Sequence, residues 1–302
     1  MIEFKDITLS DKEIIQSFTL NSWRRNCELS FVNIFSWSFL YHTQYAIFNG
    51  FLLMRFVNSD RLAYMMPIGS GNLREALQLI MNDAKSLGKP FALNGVCKNL
   101  CGDLEEAMPN VFKYSVNRKY SDYIYLRENL ITLKGKKLQS KRNFINRFLK
   151  NNSNYEYKPL TRSLISECVE LEKSWYNKNI TPEEYATISA ERTALNYAIN
   201  NMEALDLIGG VLFANGKIAA FTYGGAINYE TFDVCIEKAD VNIEGAYAMI
   251  NCEFAKHIPT KFKYINREED LDIQGLRKAK LSYQPEMILE KHNVELIESE
   301  LI

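Results

Sequence analysis

The sequence predicts an α/β fold of two tandem halves, each a mixed, mostly antiparallel sheet with flanking helices. The first observation is a doubled order of elements: strand, two helices, three strands, helix, strand, short helix and two strands. The second is a pair of hairpin turns at matching places, Asn49-Gly50 and Asn215-Gly216, because Asn and Gly supply the positive φ angles of a type I′ turn. We predict one domain over residues 1–130 and a second over residues 131–302.

The first half begins with a predicted strand, Glu3–Ile7, and a helix, Asp11–Thr19, for which Ser10 and Glu13 form a capping box. Gly69-Ser70-Gly71 precedes a longer helix that Gly88 ends. The other elements of this half follow in chain order: helix Phe31–Tyr41, strands Tyr45–Phe48, Phe51–Val57 and Leu62–Met66, helix Asn72–Leu87, strand Phe91–Val96, helix Leu100–Met108 and two strands that end at Leu126.

The second half repeats this order after the lysine-rich stretch 134–137. Thr181 and Pro182 are typical of a helix start, because Pro has no N–H to leave unsatisfied in the first turn. The predicted elements are strand Tyr155–Leu160, helices Ser163–Lys178 and Pro182–Asp206, strands Leu207–Ala214, Lys217–Asn228 and Thr231–Ala239, helix Gly245–His257, strand Lys261–Asn266, helix Ile273–Leu281 and strand-like segments over Met287–Ile302.

The composition is that of an ordinary folded protein, with 47% hydrophobic and 24% charged residues. A net charge of −1 argues against a generally basic nucleic-acid binder. No run approaches the roughly 18 apolar residues of a membrane helix, and Glu3, Lys5 and Asp6 exclude a signal-peptide core directly after Met1. We therefore predict a cytoplasmic protein. The six cysteines lack the spacing of a zinc site, so no metal is predicted.

The C-terminal run from Phe232 to Pro285 carries the resemblance to a known family. Gln274-Gly275-Leu276-Arg277, followed by Lys280 and Pro285, resembles the closing signature of the C-terminal domain of phosphatidylglycerol lysyltransferase. Uncharacterised bacterial proteins related to that domain resemble almost the whole chain, most clearly here and over Ser140–Phe148. The resemblance implies two tandem GNAT-like (acyl-CoA N-acyltransferase) domains, with the active cleft in the second.

The same resemblance implies an acyltransferase or aminoacyltransferase. It would move its group from acyl-CoA or aminoacyl-tRNA to an amine or hydroxyl of a small-molecule acceptor. The named family member takes lysine from charged tRNA to a membrane phospholipid, but its membrane-embedded half has no counterpart in this sequence. The alternative is a non-catalytic ligand-binding or RNA-binding protein that keeps the fold.

Alternating acidic residues predict the catalytic group. Asp233, Cys235 and Glu237 share one face of a strand. A carboxylate beside the acceptor can take the proton of an attacking amine. Glu237 lies nearest the following helix and is the preferred general base, with Asp233 second and Glu268 a further candidate. The alternative is that these carboxylates are solvated or paired with Lys238 and Arg267.

The start of the helix after this strand predicts the donor site. Its backbone amides could hold a pyrophosphate, and the basic residues of the next helix could contact the same anion. The predicted cofactor-binding residues are Asn242, Glu244, Gly245, Ala246, Tyr247, Arg277 and Lys280. The alternatives are an ordinary helix cap and a surface ion network.

Charged residues at the end of the following strand predict the acceptor side of the cleft. The acidic side chains there suit a cationic amino acid or amine. The predicted substrate-binding residues are Asn266, Arg267, Glu269 and Gly275.

The amphipathic segment 139–150 is the most basic part of the chain. It suits tRNA phosphates or peripheral contact with an anionic lipid surface. The alternative is a linker helix that docks by its apolar stripe.

Overall fold

Two mixed sheets with flanking helices form the protein, which confirms the predicted fold class. The computed structural model describes residues 2–58, 61–175 and 182–297. The predicted cap Thr181 and the end of the predicted helix over 163–178 lie outside these ranges. Among the described residues, no helix has the length and apolar character needed to cross a membrane.

The first sheet is assembled mainly from the N-terminal part of the chain. Its strand order is β1 (Lys5–Asp6), β2 (Gln44–Phe48), β3 (Phe51–Asn58), β4 (Arg61–Met65), β6 (Ala92–Cys97), β15 (Lys291–Leu296) and β7 (Phe112–Val116), with β5 (Ile68–Gly69) paired to β3. The helices of this part are α1 (Lys12–Thr19), α2 (Phe31–Ser36), α3 (Ser38–Tyr41), α4 (Leu73–Ser86) and α5 (Leu100–Ala107).

The second sheet follows the same plan. Its order is β14 (Met287–Leu289), β8 (Asp122–Leu126), β13 (Tyr264–Asn266), β12 (Thr231–Ala239), β11 (Lys217–Ala226), β10 (Ile208–Ala214) and β9 (Glu156–Pro159). The remaining helices are α6 (Arg127–Thr132), α7 (Gln139–Asn151), α8 (Ile165–Trp175), α9 (Pro182–Asn200), α10 (Ala246–His257) and α11 (Gln274–Leu281).

The two sheets exchange strands across the predicted division at residue 130. Strand β8 precedes that division but lies in the second sheet, between β13 and β14. Strand β15 comes from the C-terminal end but lies in the first sheet, between β6 and β7. Neither sheet is therefore built from one of these segments alone. The division into domains 1–130 and 131–302 stays a prediction.

Helix α2 packs against the second sheet. An added Cβ at Gly225 of β11 would lie 2.6 Å from Cγ2 of Val32 in α2, so the helix and the strand are in close contact. Phe31, Val32 and Ile34 share an apolar cluster with residues of β11, β12 and α9. This packing places the polar face of α2 beside the middle of β12.

Two local predictions are corrected. The helix predicted over 31–41 is divided into α2 and α3 at Trp37. The capping box lies two residues earlier than the predicted Ser10 and Glu13: Thr8 and Asp11 form it, and it caps a short 3₁₀ turn, Leu9–Asp11, that precedes α1. There the Thr8 N–H donates to Asp11 Oδ2 at 2.8 Å.

A buried carboxylate site between the two sheets

Strands β12 and β13 separate at the site. Their parallel pairing covers three residues and ends where Asp233 lies opposite Asn266. Strand β12 continues to Ala239, whereas β13 stops and the chain turns away at Glu268, which has a positive φ of 55°. The acidic residues predicted for this edge therefore follow the point of separation.

The first group at this point, here called the thiol–carboxylate cluster, consists of Asp233, Cys235, Glu268 and Asn33. Asn33 Nδ2 lies 2.8 Å from Asp233 Oδ2 and 2.8 Å from Glu268 Oε1, so one amide of α2 joins two acids of the second sheet. The Cys235 thiol lies 3.5 Å from Asp233 Oδ2. Asp233 is fully buried, while Cys235 and Glu268 are partly exposed.

Burial disfavours the charged forms of these groups. It raises the pKa of Asp233 well above its usual value, and the nearby Glu268 carboxylate raises it further. Burial also raises the pKa of Glu268 to about 7, although the hydrogen bond from Asn33 opposes this shift. Asp233 and Glu268 therefore resist being ionised at the same time, and a proton or a cation between them stabilises the pair.

The second group, here called the lysine cluster, consists of Lys291, Asp122, Glu269, Glu28 and Cys27. Lys291 Nζ donates to Asp122 Oδ1 at 2.9 Å, to Glu269 Oε1 at 2.6 Å and to Glu28 Oε1 at 2.7 Å. Asp122 is fully buried, and 2% of the Lys291 side chain is exposed. The cluster joins β8, β15 and the turn after β13, so both exchanged strands meet here.

The acidic groups of the lysine cluster stabilise the charged form of Lys291. Burial alone lowers the pKa of Lys291, but Asp122 and the other nearby acidic groups outweigh it and raise the pKa well above its usual value. Burial raises the pKa of Glu269 to about 8, against the opposing effect of Lys291. Predicted residue Asn266 completes the group, since its Nδ2 lies 2.9 Å from Asp122 Oδ2.

Glu237 is held in an ion pair that is about nine-tenths buried. Arg267 donates to Glu237 Oε1 at 2.8 Å and Asn251 donates to Oε2 at 3.1 Å. The guanidinium lies 4.8 Å from the centre of the Tyr283 ring. Pairing with Arg267 was one of the alternatives open for this residue, and Lys238 pairs instead with Glu191 at 2.6 Å. The role of Glu237 as general base stays a prediction.

We expect Glu237→Gln to lower the free energy of unfolding by about 2 kcal/mol, because Arg267 loses a charge-assisted partner in a place with little water. Denaturant unfolding measures this loss. Glu170→Gln, which breaks an exposed ion pair with Lys173, is the control and should cost less than about 0.5 kcal/mol. Unchanged stability with turnover reduced about 10²–10⁴-fold would instead establish Glu237 as the base.

The predicted donor site at the start of α10 is packed against α7. Gly245 has a φ of 85°, and an added Cβ there would lie 2.2 Å from the carbonyl oxygen of Phe144 in α7. Arg147 of α7 pairs with Glu244 at 3.2 Å, and Asn242 donates to Asp240 Oδ1 at 2.9 Å. Ala246 is buried beside Phe148, and Tyr247 is partly buried against the same apolar cluster. Segment 139–150 therefore docks through Phe148 and Ile145, whereas Phe144 and Leu149 of its apolar stripe are exposed.

The basic residues of α11 that were predicted to bind the donor, Arg277 and Lys280, form hydrogen bonds with the acidic turn after β13. Arg277 donates to Asp270 at 2.9 and 2.8 Å and to Asp272 at 2.7 Å. Burial raises the pKa of Asp270, but hydrogen bonds from Arg277 and Tyr123 outweigh it and hold the pKa well below its usual range. Lys280 donates to the Glu269 carbonyl oxygen. Gly275 is exposed, with no atom near its Cβ position.

One protein family matches most of the chain. Residues 21–294 match the family model described as phosphatidylglycerol lysyltransferase, C-terminal. A crystal structure of a conserved Bacteroides thetaiotaomicron protein of unknown function is 54% identical, with a TM-score of 0.95 over 98% of this chain and 100% of that one. The C-terminal domain of a putative lysylphosphatidylglycerol synthetase from Agrobacterium fabrum is 12% identical, with a TM-score of 0.67 over 95% and 91%.

A curated relative is more distant. An uncharacterised protein of Mycoplasmoides gallisepticum is 25% identical over 188 residues, which is 60% of this chain and 58% of that protein. The chain thus matches somewhat over half the length of this relative. Taken with the two mixed sheets, the Agrobacterium structure shows that the chain has the fold of the lysylphosphatidylglycerol synthetase C-terminal domain.

Proposed function

Since the chain belongs to the phosphatidylglycerol lysyltransferase C-terminal family, we propose that it transfers an aminoacyl or acyl group to a hydroxyl or amine acceptor. We place the reaction at the separation of β12 and β13, where the two clusters meet. The roles of Glu237, Asp233 and Glu268 in proton transfer belong to this proposal.

The supporting observation is the excess of acidic groups at this point. Five carboxyl groups converge there, and Lys291 bonds to three of them; the five are Glu28, Asp122, Asp233, Glu268 and Glu269. Such a site favours a substrate that carries a positive charge. Glu28 and Glu269 are partly exposed, at 39% and 20% of their side chains, so the cluster is open to solvent on their side.

A cationic aminoacyl donor fits this charge. The Agrobacterium relative is named for lysylphosphatidylglycerol, a lipid that carries lysine. We propose aminoacyl-tRNA as the donor and a lipid hydroxyl as the acceptor. Exposed basic side chains on and before α7 suit tRNA phosphates or an anionic lipid headgroup; they include Lys136, Lys137, Arg147 and Lys150.

Acyl-CoA is the second candidate donor, because coenzyme A is the common donor of GNAT enzymes. The close packing of α7 on Gly245 favours the tRNA candidate, since a pyrophosphate at the start of α10 would compete with the Phe144 carbonyl oxygen. Arg277 and Lys280, which were predicted to grip the same donor, are already paired with residues 269–272.

A transfer assay tests the proposal. Purified protein is mixed with phosphatidylglycerol vesicles and tRNA charged with labelled lysine or alanine, or with labelled acetyl-CoA in place of tRNA. We expect lysine to enter the lipid at least about tenfold faster than alanine, equivalent to about 1.4 kcal/mol for one charged contact.

Glu28→Gln should reduce that preference, while Glu170→Gln is the matched control on a distant exposed acid. Transfer from acetyl-CoA alone would favour the second donor. No transfer from either donor, by protein that binds tRNA, would favour the non-catalytic alternative.

A further inference from the structure

Two groups of side chains near the site offer the same three ligand types. One is Cys27, Asp122 and Glu269, and the other is Asp233, Cys235 and Glu268. In each group, the sulfur and one oxygen from each acid lie within 4.8 Å of one another. A thiol with two carboxylates is a donor set that divalent transition metals accept.

Lys291 occupies the first group. Its Nζ lies 2.9 Å from Asp122 Oδ1, 2.6 Å from Glu269 Oε1 and 3.8 Å from Cys27 Sγ. The ammonium therefore stands in the position that a bound cation would take. This group has no place for a metal ion.

Among the described residues, no cation is ion-paired within the second group, although Lys280 and Lys291 lie near enough to oppose the rise in the pKa of Glu268 that burial causes. In the ranges that the structure describes, no lysine or arginine pairs with Asp233 or Glu268, and the Asn33 amide is the group that joins them. Oδ1 of the fully buried Asp233 accepts no hydrogen bond from the described residues. A buried carboxylate oxygen without a partner is costly, so this atom points to a missing ligand.

The strands hold two of the three ligands in place. Asp233 and Cys235 alternate on one face of β12, which pairs with β11 on one side and, up to Asp233, with β13 on the other. Glu268 closes the group from the turn after β13. Because Cys235 and Glu268 are partly exposed, an ion can reach the buried Asp233 from solvent.

We propose that Asp233, Cys235 and Glu268 bind one divalent transition-metal ion of the Zn²⁺ class. The ion displaces to solvent the proton of the Cys235 thiol and any proton that Asp233 or Glu268 carries, and its two positive charges offset two of the three negative charges of the ligands. Asp233 Oδ1 gains a partner. The proposal concerns binding and does not depend on the transfer reaction; with the ion bound, Asp233 and Glu268 act as ligands, and Glu237 is the candidate base that remains.

Titration of the metal-free full-length protein with Co²⁺ tests the site, because a thiolate bound to Co²⁺ gives a charge-transfer absorption band. We expect one Co²⁺ per chain with this band, and displacement by Zn²⁺. Cys235→Ser should abolish the band and weaken binding at least about tenfold, and Glu268→Gln should weaken binding to a similar degree, which is about 1.4 kcal/mol.

Cys27→Ser is the matched control, since it removes the thiol of the group that Lys291 fills, and it should keep both the band and the affinity. Natively folded wild-type protein that shows no band overturns the proposal, as does loss of the band in Cys27→Ser with its retention in Cys235→Ser. Circular dichroism verifies the fold of each variant. If Cys235→Ser does not fold, the stoichiometry and band of the wild type with Glu268→Gln decide the question.

Discussion

Replacing Lys291 with methionine should lower the free energy of unfolding by about 3–5 kcal/mol, the cost of removing one partner from a buried ion pair. Methionine fills a similar volume but leaves Asp122 fully buried and Glu269 largely buried without their cation. Equilibrium unfolding in urea, followed by circular dichroism, measures the change.

Lys113→Met is the matched control. Lys113 of β7 lies opposite Glu295 of β15, the strand that also contains Lys291. The two side chains form an ion pair at 3.3 Å, but about half of each side chain is exposed. This pair should contribute less than about 1 kcal/mol. If both variants lose a similar, small amount of unfolding free energy, the lysine cluster is hydrated and does not stabilise the contact between the two sheets.

A second change separates charge from packing. Adding Asp122→Asn to Lys291→Met removes one of the uncompensated carboxylates while keeping one side-chain oxygen, which can still accept from both the Cys27 N–H and the Asn266 amide as Asp122 Oδ2 does. We expect the double variant to be more stable than Lys291→Met alone. Equal stability would mean that the loss came from packing.

Local signals in the sequence were sufficient for most of the fold. Both predicted hairpin turns are confirmed: Asn49 and Gly50 have φ angles of 43° and 84°, and Asn215 and Gly216 have 52° and 75°. The alternation over Thr231–Ala239 predicted β12 with its observed bounds. These features depend on neighbouring residues, so the sequence carries them directly.

The strand exchange could not be predicted in this way. The predicted strand-like segment after Met287 contains β15, but alternation indicates which face a side chain takes and not which sheet the strand joins. The insertion of β15 between β6 and β7 is decided by packing across nearly 200 residues of chain.

The site shows the same limit. Asp233 and Glu268 were found from their local pattern, but Asn33, Asp122 and Lys291 were not, because each comes from a distant segment. Lysine is rarely buried, so composition assigns Lys291 to the surface. Its burial becomes favourable only with the acids that the fold brings to it.

The β-bulge beside Asp233 leads to the last prediction. The pairing of β11 with β12 shifts register between Tyr223 and Gly224. An added Cβ at Gly224 would lie 1.7 Å from the carbonyl oxygen of Asp233 and 2.9 Å from the Phe232 ring. The obstacle is main chain, which cannot rotate away as a side chain can, so the strands must move apart.

We expect Gly224→Ala to cost about 3 kcal/mol of unfolding free energy, at the upper end of the usual cost of overpacking. Gly102→Ala is the control, because Gly102 lies in α5 with no atom within 4 Å of its Cβ position. There alanine should stabilise the protein by about 0.5–1 kcal/mol. The two substitutions add the same methyl group, so opposite signs in urea unfolding separate close packing from helix propensity. A neutral or stabilising Gly224→Ala would contradict the close approach of β11 to Asp233, and with it the fixed position of that carboxylate.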